Sequence, residues 1–284
     1  MRLSIVLPCA DDDGIERCLA SIDEDVEVVA VLNGAHPSVR AAVASRQLTV
    51  VEIPERNLGA ACQAGCVAAA NDHVLLMNTD ATFAPGALAK MMADWRPGTV
   101  VRASLVFDGD NARARWIENL QNHQMSNPDR AYQPGLLFSR AIVDDIGGYF
   151  FDEHIHWTED ADFDRRARAV GVTVTVSAGV VRHGAVTVTR KLRSAFRYGL
   201  GRAIAERKRL YGTTPHYRPK LSAFVADAKA TAARYGTPTA AYGVIWNLSF
   251  MCGVYAQRWF DVYGVHERVD TSLAGGAPGR SAAQ

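Results

Sequence analysis

The sequence predicts an α/β fold: a mixed, mainly parallel sheet with helices on both faces, followed by a C-terminal helical extension. Two observations carry this expectation. Short β-branched runs alternate with amphipathic segments from the start of the chain, and from Thr187 onward strand signals give way to helical ones. Parallel strands need crossovers that bury them on both faces, so they read as near-continuous apolar runs instead of alternating ones.

Taken in order, Leu3 to Leu7, Val26 to Leu32, Leu48 to Ile53 and Val74 to Met77 read as buried strands. Helical segments lie between them at about Asp13 to Ile22, Pro37 to Ser45 and Leu58 to Ala70. The pattern then loosens, with a strand over Thr99 to Phe107, helices near Ala112 to Gln121 and Ser139 to Ile146, a strong helix from Glu159 to Val170, and a β-rich run from Val172 to Val181. Residues 1–186 are therefore expected to form one domain with halves at about 1–97 and 98–186. Residues 187–265 form the extension, with further helices near Lys220 to Tyr235 and Ala240 to Val262. The Gly-, Ala- and Ser-rich tail over 266–284 is expected to be disordered.

Composition narrows the function classes. With 284 residues, 48% of them hydrophobic, the chain can bury a full core. Lys and Arg total 31 against 30 Asp and Glu, so bulk charge gives no reason to propose nucleic acid as a partner. The five cysteines, Cys9, Cys18, Cys62, Cys66 and Cys252, are odd in number and lack a C-x-x-C pair, which fits buried reduced thiols. The opening apolar run is too short for a leader, and the longest apolar segment, Ala240 to Phe260, is interrupted by Asn247, Gln257 and Arg258. The expected location is cytoplasmic, with peripheral membrane contact as the second reading.

That second reading rests on residues 190–209, where Arg190, Lys191, Arg193, Arg197, Arg202, Arg207, Lys208 and Arg209 crowd around Phe196, Tyr198, Leu200 and Ile204. Such a stretch can meet anionic lipid or a phosphorylated acceptor. The simpler account is a solvated helix that packs its apolar side on the first domain. Trp246, Phe250, Tyr255, Trp259 and Phe260 form an aromatic stripe at helical spacing, which fits core or a homodimer interface better than a sugar platform.

In open α/β sheets the ligand sits outside the carboxyl ends of the strands. Pro8 to Asp13, Asn33-Gly34, Glu55-Arg56-Asn57 and Asn78-Thr79-Asp80 follow the first four strands and should form one rim. Asp80 can hold a divalent cation that bridges the phosphates of a nucleotide diphosphate, or simply cap the helix that begins near Pro85-Gly86. Glu159, Asp160 and Asp162 open a helix beside His156 and Trp157. The helix dipole favours acids there, but capping needs only one or two, and three fit a site where one carboxylate takes a proton. His183 ends the β-rich run. A lone histidine is usually structural, yet at this strand end an imidazole can join a carboxylate on Mn2+ or Mg2+.

The ordered series Ser4-Ile5-Val6-Leu7-Pro8, Asn33-Gly34, Asn57-Leu58-Gly59, Asn78-Thr79-Asp80, Gly135-Leu136-Leu137-Phe138-Ser139-Arg140, Gly147-Gly148-Tyr149-Phe150-Phe151-Asp152-Glu153, Glu159-Asp160-Ala161-Asp162 and His183 resembles the family-two inverting glycosyltransferases of the GT-A fold. The resemblance runs from residue 3 to about 185. It implies a metal-dependent enzyme that moves a sugar from a nucleotide-diphospho-sugar donor (UDP, GDP or dTDP) to an acceptor hydroxyl. By position, it implies Asp80 and His183 as metal ligands for Mn2+ or Mg2+, Asp160 as general base and Glu159 beside it as the residue that positions the acceptor or the base. Pro8, Cys9, Asn33, Asn57, Asn78, Thr79, Gly135 and Trp157 are the implied substrate- and nucleotide-binding residues, and Arg166 is expected to be structural.

The chain departs from the family pattern at three places. Leu32 stands where an Asp commonly closes the second strand, leaving Asn33 for the base; Asn78 replaces the first Asp of the metal motif; Gln63 lies near a common Asn. Two alternatives share the nucleotide chemistry. A sugar nucleotidyltransferase would need a Gly-rich basic loop after the first strand, where Cys9-Ala10-Asp11-Asp12-Asp13 is acidic. A catalytically reduced nucleotide-sugar-binding scaffold would have no use for the Glu159-Asp160 pair.

Overall fold

The computed structural model describes residues 2–11, 14–107, 111–184, 186–208 and 220–266. The expected disordered tail beyond residue 266, Arg209 and the Asp12-Asp13 end of the acidic loop lie outside the described residues.

Among the described residues eight strands form one sheet in the order β3-β2-β1-β4-β7-β6-β8-β5. β1 (Leu3–Cys9) pairs parallel with β2 (Glu27–Asn33) and β4 (His73–Leu76), and β2 pairs parallel with β3 (Thr49–Ile53). β7 (Leu136–Ser139) then runs antiparallel to both β4 and β6 (Thr99–Phe107), β6 runs parallel to β8 (Thr173–His183), and β5 (Ala81–Phe83) is antiparallel to β8. The sheet is mixed and mainly parallel in its first half, as the strand pattern predicts.

The period-two geometry of a strand divides the core. Leu3, Ile5 and Leu7 of β1 face a cluster with Cys18 and Leu19 of α1 (Ile15–Ala20), Val39 and Val43 of α2 (Pro37–Ala44), and Leu88 and Met91 of α4 (Ala87–Asp94). Val6 points the other way, with Val29, Val31 and Leu76, against Cys62 and Cys66 of α3 (Leu58–Ala68) and Phe163 of α7 (Glu159–Ala169). Both faces are covered, so backbone ladders are shielded and the polar strand ends are left as the rim.

Two elements differ from expectation. The helix predicted over Ser139 to Ile146 is a single turn, α6 (Ile142–Asp145), and the residues before it form β7. Leu136, Leu137 and Phe138 are completely buried between β4 and β6, and a short apolar run of that kind carries no period that separates strand from helix. β5 is only three residues long and lacks any sequence signal of its own.

The extension is helical: α8 (Val188–Arg207), α9 (Leu221–Tyr235) and α10 (Thr237–Phe260), with α5 (Ala112–Gln124) packed against α10. α8 and α10 cross at glycines, where a Cβ on Gly199 would lie 2.0 Å from the Phe250 carbonyl oxygen and one on Gly253 would lie 1.9 Å from that of Phe196. Trp246 and Phe250 stack at 5.9 Å, whereas Trp259 and Phe260 at the end of α10 are exposed. No helix among the described residues is long and apolar enough to cross a membrane.

Candidate active site

A cavity of about 620 Å³ opens at the carboxyl ends of the strands. Pro8 near the end of β1, Ala10 and Asp11 after it, Asn33 at the end of β2, and Arg56 and Asn57 before α3 form one wall. Asn78, Thr79, Asp80 and His183 form its floor, Trp157 and Tyr263 stand at one side, and α8 closes it with Arg190, Lys191, Arg193, Ser194, Arg197 and Tyr198. The rim predicted from the strand ends is thus assembled, and α8 is the addition.

The first wall is laced by its own side chains. The Asn33 Oδ1 accepts from the Asn57 backbone N–H at 2.8 Å, and the Asn57 Oδ1 accepts from the Ala60 N–H at 3.1 Å as the N-cap of α3. With its oxygen engaged, Asn33 has its Nδ2 donor to offer a base. Arg56 and Asp11 pair across the cavity mouth, and the guanidinium holds the Asp11 carboxyl below the usual carboxylate range.

On the floor, antiparallel pairing of β5 with β8 sets Ala81 opposite His183, so Asp80 arrives beside the imidazole, with its Oδ1 3.4 Å from His183 Nε2. Asp80 is not a helix cap, because Gly86 occupies the N-cap position of α4 and donates its N–H to Asp23. His183 Nδ1 lies 3.1 Å from the Gly184 carbonyl, which can only accept, so Nδ1 carries the proton. Burial holds the His183 pKa below its ordinary value, against the opposing pull of Asp80, which keeps the ring neutral and leaves the Nε2 lone pair facing a carboxylate. Two electron-rich atoms held this way fit a shared divalent cation, and the second-nitrogen hydrogen bond is the usual support of a metal-binding histidine. Among the described residues no group of three or more His, Cys, Asp or Glu could hold a metal ion, so further ligands would come from a phosphate or water. Arg190 sits 3.4 Å from the other Asp80 oxygen.

The acidic cluster of α7 lies behind Trp157 and does not line the cavity. Thr158 adopts φ 68°, a left-handed conformation that a β-branched residue seldom takes, and this sharp turn separates Trp157 in the cavity from Glu159 inside. Asp160 accepts from its own helix at the Ala161 N–H (2.8 Å, Oδ1) and from the Gln133 N–H (3.3 Å, Oδ2). Burial outweighs these bonds and pushes its pKa up to about 6. Glu159 is buried, accepts from Gln133 Nε2 at 3.2 Å, and is driven well above the usual range by burial and then by Asp160. Asp162 is committed to Arg166 (2.8 Å), whose guanidinium also donates to the carbonyls of Ile146, Tyr149 and Phe150, so this pair fastens the 146–150 turn.

Of the residues singled out from sequence, Pro8, Asn33, Asn57, Asn78, Thr79, Asp80, Trp157 and His183 gather on the cavity, whereas Cys9, Gly135, Glu159 and Asp160 do not line it. Cys9 is fully buried, with its Sγ 3.1 Å from the Leu7 carbonyl. Gly135 is a backbone bridge: its N–H donates to Leu76, its carbonyl accepts from Ala103, and a Cβ there would lie 2.6 Å from Ala103. At φ 81° a glycine is needed for sheet closure, which accounts for the residue without a ligand. Tyr198 links the two layers. It lines the cavity, and the charges of Asp160, Glu159 and Asp80 all reach its hydroxyl, although burial is the main reason that its pKa is raised. The described part of the basic stretch, 190–208, is more than a solvated face, since Arg190, Lys191, Arg193 and Arg197 line the cavity and Arg202 pairs with Glu206.

Comparisons with known proteins bear on the family and the fold. The family model described as glycosyl transferase family 2 matches residues 4–152, just over half of the chain. Among solved structures, S. aureus TarS 1-349 in complex with UDP is similar at 15% identity and a TM-score of 0.51, covering 91% of each chain. The same TarS fragment in complex with UDP-GlcNAc gives 14% identity and a TM-score of 0.51, covering 91% of this chain and 92% of that one. The S. aureus TarS structure of which this chain covers 55% also scores 0.51. At such identities the likeness establishes the fold, GT-A with a helical extension. No curated protein matches the sequence.

Proposed function

The chain belongs to glycosyl transferase family 2, and on that premise we propose that it transfers a sugar from a nucleoside diphosphate donor to an acceptor hydroxyl, with inversion at the anomeric carbon. The observation that supports this reading most is the Asp80–His183 pair on the floor of a cavity whose wall is Pro8, Asn33 and Asn57. A base held at the wall would lay its diphosphate toward the floor. UDP is the first candidate nucleotide, since the similar TarS structures hold UDP and UDP-GlcNAc; GDP and dTDP are the others. Asp80 and His183 would hold Mn2+ or Mg2+, which when bound offsets the charge that grows on a departing diphosphate.

Asp160 takes the proton of the attacking acceptor hydroxyl. Both of its oxygens are oriented by backbone N–H groups, and each keeps a second lone pair for that proton. A pKa of about 6 leaves it ionised at neutral pH and a better acceptor than an ordinary aspartate. Glu159 keeps Gln133, and hence the Asp160 carboxylate, in place. Asp160 is half-buried and its charge reaches Tyr198, which lines the cavity, so the acceptor hydroxyl would meet the carboxylate at the cavity edge beside Tyr198.

Release of nucleoside diphosphate from a panel of UDP-, GDP- and dTDP-sugars, with Mn2+ and with EDTA, tests the reading. Wild-type protein is expected to release diphosphate from at least one donor with Mn2+, and Asp80→Ala to lose about 10²-fold or more of that rate. Donor binding without any release would favour the catalytically reduced scaffold, and equal rates for wild type and Asp80→Ala would remove Asp80 from the site.

A further inference from the structure

Lys191, in the first turn of α8, is 8% exposed and lines the same cavity as Asn78, Thr79, Asp80 and His183. Taking an ammonium out of water is costly unless an anion compensates it. Among the described residues no carboxylate lies within ion-pair distance of Lys191 Nζ, and its one close side-chain partner is the Phe107 ring, 5.5 Å to the centroid. Asp80 is the nearby acid whose charge reaches it, but Arg190 flanks one Asp80 oxygen and His183 the other. Among the described residues Lys191 is therefore a buried cation lining the cavity without a carboxylate paired to it.

We infer that Lys191 is the protein's own fixed cation for the donor diphosphate, so that the helical extension, beyond the residues matched by the family model, completes the donor site. This assignment rests on the donor reading given above. Lys is a compact point charge suited to phosphate, and in a water-poor cavity such a charge acts strongly on developing negative charge. Arg190 cannot take this part in the same way, because its side chain is 57% exposed and already leans on Asp80. The placement of Lys191 depends on Gly201, where a Cβ would lie 1.9 Å from the Trp157 carbonyl oxygen; this close contact seats α8 on the start of α7.

The test is calorimetric binding of UDP, GDP and dTDP, each beside its nucleoside, in EDTA, to wild type, Lys191→Met and Lys191→Gln, together with their Tm values. Wild type is expected to bind one diphosphate more tightly than its nucleoside. Both variants should lose about 10–100-fold of diphosphate affinity, keep nucleoside affinity, and hold or raise the Tm, because a buried charge is removed. Unchanged diphosphate binding in the variants overturns the assignment of Lys191 and leaves the donor reading intact. A lower Tm with equal losses of diphosphate and nucleoside marks Lys191 as structural and also overturns it. Wild-type protein that binds none of the three diphosphates overturns the donor reading and this inference with it.

Discussion

Replacing Asp160 by Asn is expected to lower kcat by about 10²–10⁴-fold while donor binding changes little, measured as diphosphate release and as donor Kd. The amide keeps the size of the side chain and an oxygen acceptor but cannot take a proton. The pH profile carries the same claim. Burial raises the Asp160 pKa to about 6, so wild-type kcat/KM should fall about tenfold per pH unit below that value and level off above it. Stability has the opposite sign. A carboxyl whose pKa is raised on folding contributes stability that is fully present below its unfolded pKa and is lost as pH rises through the folded one. Asp160→Asn, and Glu159→Gln for the same reason, should therefore be at least as stable as wild type above about pH 6. Loss of turnover with a Tm that holds or rises separates a missing base from a damaged fold; full turnover by Asp160→Asn takes the base role away from this residue.

Gly253→Leu is expected to destabilise the protein by about 3 kcal/mol or more, a fall of about 6–12 °C in Tm. At this crossing the α8 and α10 backbones touch: the added Cβ would meet the Phe196 carbonyl oxygen at 1.9 Å and the Gly199 Cα at 3.2 Å. Neither neighbour is the movable end of a side chain, so the helices must part. Because α8 carries Lys191, Arg193, Arg197 and Tyr198 to the cavity, donor affinity should fall with stability. Gly243→Ala in the same helix is the control, since its Cβ would meet only the Leu120 Cδ1 at 3.2 Å, which can shift. Thermal melting of the two variants checks the contrast, and equal Tm values would show that the crossing is not tightly packed.

What was legible in the sequence follows from which signals are local. β1 to β4 announce themselves as apolar runs ended by turn chemistry, and their polar ends give the rim directly. β5 and β7 take their identity from pairing partners far along the chain, which periodicity does not see. The meeting of Asp80 and His183 is made by the β5–β8 ladder, so the sequence resemblance points to the two residues but their contact is a property of the sheet. Gly135 and Cys9 share motif positions with ligand-binding segments and yet serve the sheet, because a residue beside a site faces it only if the strand's alternation turns it that way. α8 is the opposite case. Its charges read as a solvated face, since nothing local in a basic helix says that glycines at 199 and 201 let it lie close enough to wall the cavity.

A crystal structure of the protein with Mn2+ and the nucleoside diphosphate that it binds best addresses the central claim most directly. The expected result is a base against Pro8, Asn33 and Asn57, and a diphosphate held between the Asp80–His183 pair and Lys191. A nucleotide bound elsewhere, or one seated in the cavity with its phosphates turned away from Asp80, would contradict the account.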